Sequence, residues 1–259
     1  MTRHMGWGSR VRRTGGAAAV AVVLLAGCES IPEVDVPAAG GSGGAAPDGH
    51  AVSPLDNPDG TRPGLAPLTD AKERAAAAAV IDKVATKGRG PKTGYDRDEY
   101  GYAWMDTADG VPLARNGCDT RNDILQRDGQ KVTFRSGSDC VVVSLTLVDP
   151  YTGKSIEWRK QKAAEVQIDH VIPLSYSWQM GASRWSESKR EQLANDPLNL
   201  LPVDGGANSA KRDSGPASWL PPAKGIRCAY AVRFAQVADK YELPVTTADK
   251  AAMREQCRA

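Results

Sequence analysis

The chain has 259 residues, of which 41% are hydrophobic and 25% are charged, and its formal net charge is +2. A chain of this length can bury a hydrophobic core of ordinary size. The near-neutral charge excludes a strongly basic protein, so any affinity for a polyanion must come from a local patch of cations.

The first 27 residues are typical of an export signal. Four arginines precede an apolar run of about ten residues, which is too short to cross a bilayer. The run ends in Leu25-Ala26-Gly27-Cys28, which resembles a bacterial lipobox and implies cleavage before Cys28 and lipid attachment to its sulfur. The alternative is an ordinary secretory signal in which this cysteine is incidental. Both interpretations predict an extracytoplasmic protein, either a membrane-anchored lipoprotein or a secreted one.

Residues 28–68 differ in composition from residues 69–259. They are rich in Pro, Gly, Ala, Ser and acidic residues, and they contain no aromatic residue and no hydrophobic periodicity. Such a segment buries too little apolar surface to offset the entropy of ordering it. We therefore expect a disordered tether over residues 28–68 and one folded domain over residues 69–259.

Four cysteines remain after Cys28, namely Cys118, Cys140, Cys228 and Cys257. An even number in an exported domain predicts two disulfides, for which three pairings are possible. We favour Cys118 with Cys140 and Cys228 with Cys257, because each pair encloses a compact local unit. A four-cysteine zinc site is disfavoured, because no two of these cysteines have C-x-x-C spacing.

The domain begins with a predicted helix over residues 71–85, opened by Asp70 and Glu73 in a capping-box pattern. A strongly β-forming run at 141–148 is followed by turn residues at 149–153 and a return strand at 155–158. Helices are also predicted over residues 118–126, 183–193, 228–241 and 246–257. We expect the helix at 183–193 to direct Arg184, Glu187, Lys189 and Arg190 outward, and the last two helices to form an antiparallel pair.

Residues 166–211 carry the most informative pattern. Val166, Ile168 and His170 alternate with Gln167 and Asp169, which predicts a strand with Asp169 and His170 directed to opposite faces. A second apolar run occupies 198–203, then come a glycine turn at 205–206 and a helix at 207–212. The predicted order is strand, loop, strand, helix.

The polar residues of this stretch suit phosphodiester hydrolysis. His170 can act as a base near neutral pH, and the oxygens of Asp169 and Asn208 suit Mg²⁺ better than zinc. Asn199 can fix a loop or the imidazole through its amide, and Lys211 lies one helical step beyond Asn208, where it can contact phosphate. The structural alternatives are that Asn199 caps a turn, that Asn208 is a helix N-cap and that Lys211 lies on a solvated face.

These residues resemble the HNH endonucleases, whose ββα-metal motif runs Asp-His, Asn and a final His or Asn. The chain is more specifically similar to the branch related to the C-terminal domain of GmrSD-type restriction enzymes, including its exported actinobacterial members. The segments that carry this resemblance are 118–125, 149–154, 167–171, 195–201 and 219–222, with the sequences CDTRNDIL, DPYTGK, QIDHV, NDPLNLL and WLPP.

The resemblance implies a role for each residue of the motif. His170 would be the general base, Asp169 and Asn208 would bind one divalent metal ion, most simply Mg²⁺ or else Mn²⁺, and Asn199 would position His170. Arg121 is added as a catalytic residue, either a phosphate clamp or a transition-state cation, because of its place in the 118–125 segment. The alternative for Arg121 is a salt bridge to a neighbouring aspartate. Three tryptophans can stack on bases or pack in the core, and we favour packing for Trp178, Trp185 and Trp219.

We therefore expect an α+β fold with a ββα-metal core, an added β-hairpin, flanking helices and two bracing disulfides. The expected activity is metal-dependent endonuclease cleavage of nucleic acid, with DNA favoured over RNA, by a monomer without a protein partner. One alternative is a non-catalytic envelope lipoprotein that keeps the fold for binding. Another is a hydrolase of cell-wall polymers, which a single histidine makes difficult because such enzymes usually hold zinc with three strong ligands.

Overall fold

A computed structural model describes residues 49–258; residues 1–48 and 259 lie outside the described part. The predicted signal, Cys28 and the first part of the predicted tether are therefore not described. The fold mixes helices with two antiparallel sheets. The helices are α1 (Ala71–Lys83), α2 (Thr120–Asp128), α3 (Leu174–Met180), α4 (Glu187–Asn195), α5 (Gly205–Lys211), α6 (Arg227–Lys240) and α7 (Thr247–Gln256). The strands are β1 (Gln130–Phe134), β2 (Val142–Val148), β3 (Ser155–Arg159), β4 (Val166–His170) and β5 (Leu200–Asp204).

The first sheet has the strand order β1-β2-β3. The hairpin of β2 and β3 confirms the prediction, and Asp149 accepts backbone hydrogen bonds from Tyr151 and Thr152 inside the turn. Strand β1 was not predicted. Its pairing with β2 is irregular, and Lys131 within it has a φ of 51°. Polar and apolar residues do alternate in β1, but over only five residues, which is a weak signal.

The second sheet is the pair β4 and β5, which runs directly into α5. Asp169 lies opposite Leu201, and His170 lies opposite Leu200. The order strand, loop, strand, helix is as predicted, although α5 already begins at Gly205. The N-cap of α5 is Asp204, whose carboxylate accepts a hydrogen bond from the backbone N–H of Ala207 at 2.8 Å.

The β4–β5 pair lies between two hydrophobic clusters. Leu201 and Val203 belong to the larger one, which is centred on α6 and includes α1 and α3. Val166, Ile168 and Leu200 belong to the smaller one, together with residues of α2 and the first sheet. Since neighbouring strand residues point to opposite faces, Asp169 shares its face with Leu201 and His170 shares its face with Leu200.

The segment between β4 and β5 contains two helices rather than the one predicted. Helix α3 was missed, and α4 begins at Glu187 after the cap residue Ser186 rather than at residue 183. The prediction that Arg190 points outward is also wrong. Its guanidinium is buried and donates hydrogen bonds to the backbone oxygens of Glu99 and Trp185, while Glu99 also forms an ion pair with it at 2.8 Å.

Residues 49–68 correct the predicted extent of the tether. Leu65 and Leu68 are only 3% and 1% exposed and belong to the larger core cluster. Backbone hydrogen bonds join Val52 to Pro63 and Ala66 to Val52, so the segment closes on itself as well. Two buried leucines provide the apolar contact that composition alone did not reveal, and the folded part therefore includes residues that precede residue 69.

Both favoured disulfides are present. Cys118 bonds to Cys140, and Cys228 bonds to Cys257. The second bond joins the beginning of α6 to the end of α7, which confirms the antiparallel helix pair. Both of its cysteines are 4% exposed, so this disulfide also forms part of the core.

Candidate active site

His170 ends β4 and is 8% exposed. Its Nε2 lies 2.9 Å from the backbone oxygen of Ala194, at the end of α4. The indole of Trp104 is stacked on the imidazole, with the ring centroids 5.9 Å apart and the ring planes at 7°. The imidazole is thus held by one hydrogen bond and one aromatic face.

The protonation state of His170 can be derived from these contacts. Burial, reinforced by the positive charge of Arg97, lowers the pKa of His170 to about 3. The imidazole is therefore neutral at neutral pH, and because a carbonyl oxygen only accepts hydrogen bonds, Nε2 carries the proton. Nδ1 is then an unprotonated nitrogen, and no hydrogen bond to it is found among residues 49–258.

Asp169 is almost fully enclosed by its partners. The ammonium of Lys211 donates to both carboxylate oxygens, at 2.9 and 2.8 Å, and also to the backbone oxygen of His170 at 2.7 Å. The hydroxyl of Tyr151 donates to the same carboxylate at 2.5 Å. All three N–H groups of Lys211 are thereby used inside the protein.

The position of Lys211 corrects the prediction that it contacts phosphate. Its side chain is fully buried, and the alternative of a solvated helix face is equally wrong. Burial lowers the pKa of Lys211 and raises the pKa of Asp169, in each case against the opposite charge of the partner. Such a pair is held by geometry and complete hydrogen bonding, because desolvation opposes both charges.

The side chain of Asn199 joins two backbone segments near His170, one after β4 and one at the end of α4. Its side-chain oxygen accepts from the N–H of Ile172 at 2.8 Å, and its amide group donates to the oxygens of Ile172 and Leu193. Leu193 precedes Ala194, the partner of the imidazole. Asn199 therefore fixes the loop, as one version of the prediction had it, and reaches His170 only through the backbone.

Asn208 lies on α5, and its amide group donates to the side-chain oxygen of Gln167 at 2.8 Å. It is not the N-cap of that helix, a position that Asp204 holds. Asn208 lines a cleft of about 300 Å³ together with Asp169 and His170. The structure thus brings together the two predicted metal ligands and the predicted base.

Arg121 lies outside this cleft. Its guanidinium donates to the backbone oxygen of Val166 at 3.2 Å, and burial lowers its pKa. In the described part of the chain, no ion pair joins it to Asp119 or Asp123. Asp119 instead caps α2 through Asn122, and Asp123 accepts a hydrogen bond from Asn116. The observed contact is with the start of β4, which neither prediction included.

Three neighbours of the site were not assigned from sequence. Tyr151 was noted only within the turn and the resembling segment 149–154. No element was predicted for the segment that contains Arg97 and Trp104, where Arg97 begins a short 3₁₀ helix, Arg97–Tyr100. No local pattern links these residues to β4, because each reaches the site through tertiary packing.

The three tryptophans considered for base stacking pack against the larger core cluster, as favoured: Trp178, Trp185 and Trp219.

Within residues 49–258, no group of three or more His, Cys, Asp or Glu side chains is placed to hold a metal ion. The same residues form no helix that is long and apolar enough to cross a membrane.

Comparisons with known proteins agree with the sequence resemblance. A family model described as "GmrSD restriction endonucleases, C-terminal domain" matches residues 119–256, which include β4, β5 and α5. An "Uncharacterized secreted protein" of Arthroderma benhamiae is 37% identical over 179 residues, covering 68% of this chain and 81% of the relative. No solved structure matches. The chain therefore belongs to the family defined by the C-terminal domain of GmrSD restriction endonucleases.

Proposed function

We propose that this protein is an exported endonuclease that hydrolyses phosphodiester bonds, with β4, β5 and α5 as an HNH-type ββα core. The observation that carries the proposal is the state of His170. It is a neutral imidazole whose Nε2 donates to the backbone oxygen of Ala194, which leaves Nδ1 as an acceptor on a residue that lines one cleft with Asp169 and Asn208.

In the proposed mechanism, Nδ1 of His170 takes a proton from the attacking water. Trp104 and Ala194 hold the plane of the imidazole, and Asn199 holds the backbone segments that carry His170 and Ala194. Because the pKa of His170 is already far below neutrality, protonation of this base should not limit the reaction between pH 7 and pH 5.

A divalent cation is part of the proposal, and Asp169 and Asn208 are the residues that would hold it. Both are hard oxygen donors in one cleft, and the side-chain oxygen of Asn208 accepts no hydrogen bond from the described residues. This donor set suits Mg²⁺ or Mn²⁺ with water and phosphate completing the shell. The bound ion would neutralise charge on the departing 3′ oxygen.

Lys211 opposes that ion, since its ammonium already neutralises the carboxylate of Asp169 at 2.8 Å. The metal site is therefore expected to be weak without substrate. The same contact is the observation that favours the alternative function, a binding module that keeps the fold without catalysis.

The location proposed for the protein is outside the cytoplasm, with residues 1–27 as the signal and Cys28 as a lipid anchor. Two disulfides and a secreted relative support export. We propose nucleic acid, DNA before RNA, as substrate, and a monomer as the active form.

The test is incubation of the disulfide-formed protein with supercoiled plasmid, a folded RNA and purified peptidoglycan, each with Mg²⁺, with Mn²⁺ and with chelator. We expect plasmid nicking that chelator suppresses, and an intact peptidoglycan. Absence of cutting on both nucleic acids, with the protein folded and both metals supplied, would exclude the nuclease and favour the binding module.

A further inference from the structure

A nuclease needs cations that hold the backbone of its substrate, and the two that the sequence suggested are placed elsewhere. Lys211 is fully buried against Asp169, and Arg121 is bound to the backbone oxygen of Val166 outside the cleft. The cleft nevertheless has its own cations, which come from two separate segments of the chain. They are Lys92, Arg97 and Arg212.

Arg97 is the cleft cation whose charge acts on His170, the proposed base. It lines the main cleft, and it also lines a small recess formed by Trp104, His170 and Ala194. Its charge contributes to lowering the pKa of His170, which places the guanidinium within electrostatic reach of the imidazole. The side chain is exposed, and in the described chain it forms no ion pair.

Three acidic residues flank Arg97 in sequence, and none of them forms an ion pair with it within the described residues; Asp98 is exposed. The side chain of Asp96 caps the short 3₁₀ helix by accepting from the backbone of Asp98, and Glu99 forms its ion pair with Arg190. The guanidinium of Arg97 is therefore available for a bidentate contact with an anion.

Arg212 approaches the cleft from the end of α5. Its backbone N–H closes the helix on the oxygen of Asn208, and its φ of 53° is left-handed, which turns the chain away after the helix. Its side chain is exposed and has no ion pair within the described residues. Asp213, the next residue, is already engaged, because Lys92 lies 3.4 Å and Arg89 lies 3.9 Å from its carboxylate.

We propose that Arg97 and Arg212 form a clamp for the nucleic-acid phosphate presented to His170, Arg97 from the side of the base and Arg212 from the side of Asn208. This inference rests on the proposed nuclease function and specifies how its site recognises substrate. Arg97 lies outside residues 119–256, so half of the clamp comes from a segment that the family match does not include.

The experiment is binding of a fluorescent DNA duplex to the full exported protein in chelator, measured by anisotropy at several salt concentrations, with intact DNA verified afterwards. The variants are Arg97→Gln, Arg212→Gln and the double variant. Arg135→Gln is the matched control, because Arg135 is an exposed arginine at the end of β1, outside the residues that line the cleft. Thermal unfolding should be unchanged in all four, since each of these side chains is exposed and forms no ion pair within residues 49–258.

We expect each cleft variant to weaken binding by about tenfold, which corresponds to about 1.4 kcal/mol. Each should also reduce the slope of log K against log salt by about 1, as loss of one phosphate contact requires. Arg97→Lys should keep the slope of the parent protein and recover part of the affinity, because the charge remains while the bidentate geometry is lost.

If the parent protein binds DNA and the two cleft variants match Arg135→Gln in affinity and slope, the clamp is overturned while the proposed function stands. If the parent protein binds neither DNA nor RNA and cuts neither, both proposals are overturned.

Discussion

The buried pair of Asp169 and Lys211 is the contact on which the site depends most. A residue pair of this kind contributes little net stability when intact, but removing one member leaves an unpaired charge inside the protein. Removing the ammonium of Lys211 would also remove its hydrogen bond to the backbone oxygen of His170.

Lys211→Met should therefore lower the free energy of unfolding by about 3 to 5 kcal/mol. Adding Asp169→Asn in the same chain should recover part of this loss, because the buried carboxylate is then neutral. Urea unfolding with both disulfides intact measures the single and double variants in one cycle. Strict additivity of the two substitutions would contradict the pairing described here.

The raised pKa of Asp123 makes the stability of the protein depend on pH. Burial raises the pKa of Asp123 to about 6, above its value of 3.8 in an unfolded chain. The protonated carboxyl therefore adds stability that is fully present below pH 3.8 and is lost as the pH rises through 6.

Asp123→Asn removes that titration while keeping the oxygen that accepts a hydrogen bond from Asn116. We expect the variant to be more stable than the parent at pH 7.5, by on the order of 1 kcal/mol, and about equal to it at pH 3.5. Chemical unfolding at the two pH values tests this, and an advantage that grows toward acid pH would have the wrong sign.

At the residue scale, the sequence predicted which residues lie together better than it predicted their contacts. His170, Asp169 and Asn208 line one cleft, as their spacing suggested, whereas Asn199 is buried and bonds only to the backbone. Lys211 was misplaced because a lysine three residues beyond Asn208 has the same helical position whether it faces solvent or a buried carboxylate. The sequence does not say that Tyr151 and Asp169 enclose that position.

At the scale of elements, segments with a clear cap, turn or apolar pattern were predicted, and the short β1 and α3 were missed. Helices α1, α6 and α7 have clear capping or apolar patterns, and the hairpin of β2 and β3 has a strong turn. Strand β1 was missed because its alternation covers only five residues, and α3 was missed because its seven residues are almost all buried and therefore show no amphipathic pattern.

The segment 49–68 gives a prediction at this scale. Leu68 is 1% exposed and packs in the larger core cluster, so Leu68→Ala should lower the free energy of unfolding by about 2 to 5 kcal/mol. Leu55→Ala, which truncates a partly buried leucine of the same segment, should cost less. If both substitutions are without effect, the segment behaves as the tether that its composition suggested.

At the scale of the whole molecule, the two disulfides close loops with sequence separations of 22 and 29. Loops of that size add about 3 kcal/mol each in the chain-entropy model. Replacing Cys228 and Cys257 by alanine should lower the free energy of unfolding more than replacing Cys118 and Cys140. Cys228 and Cys257 also fill the core, whereas Cys118 and Cys140 are only partly buried. Calorimetry of the two double variants compares them directly.

The arrangement of the whole molecule is compatible with the proposed action of a nearly neutral protein on a polyanion. The three-stranded sheet, the helix pair and the 49–68 segment pack around β4, β5 and α5, and the cations proposed to bind phosphate line one cleft. Electrostatic attraction is then local to that cleft, and the bulk charge of the protein need not be basic.

The central claim is that His170 is the base of a nuclease, and single-turnover nicking of supercoiled plasmid tests it most directly. The parent protein, His170→Ala and the control His50→Ala should be exported, folded and purified alike, with thermal unfolding confirming that each is intact. If His170 is that base, His170→Ala should lose at least about 100-fold in rate, the lower range for removal of a general base, while His50→Ala should cut like the parent. Equal cutting by folded His170→Ala would contradict the central claim.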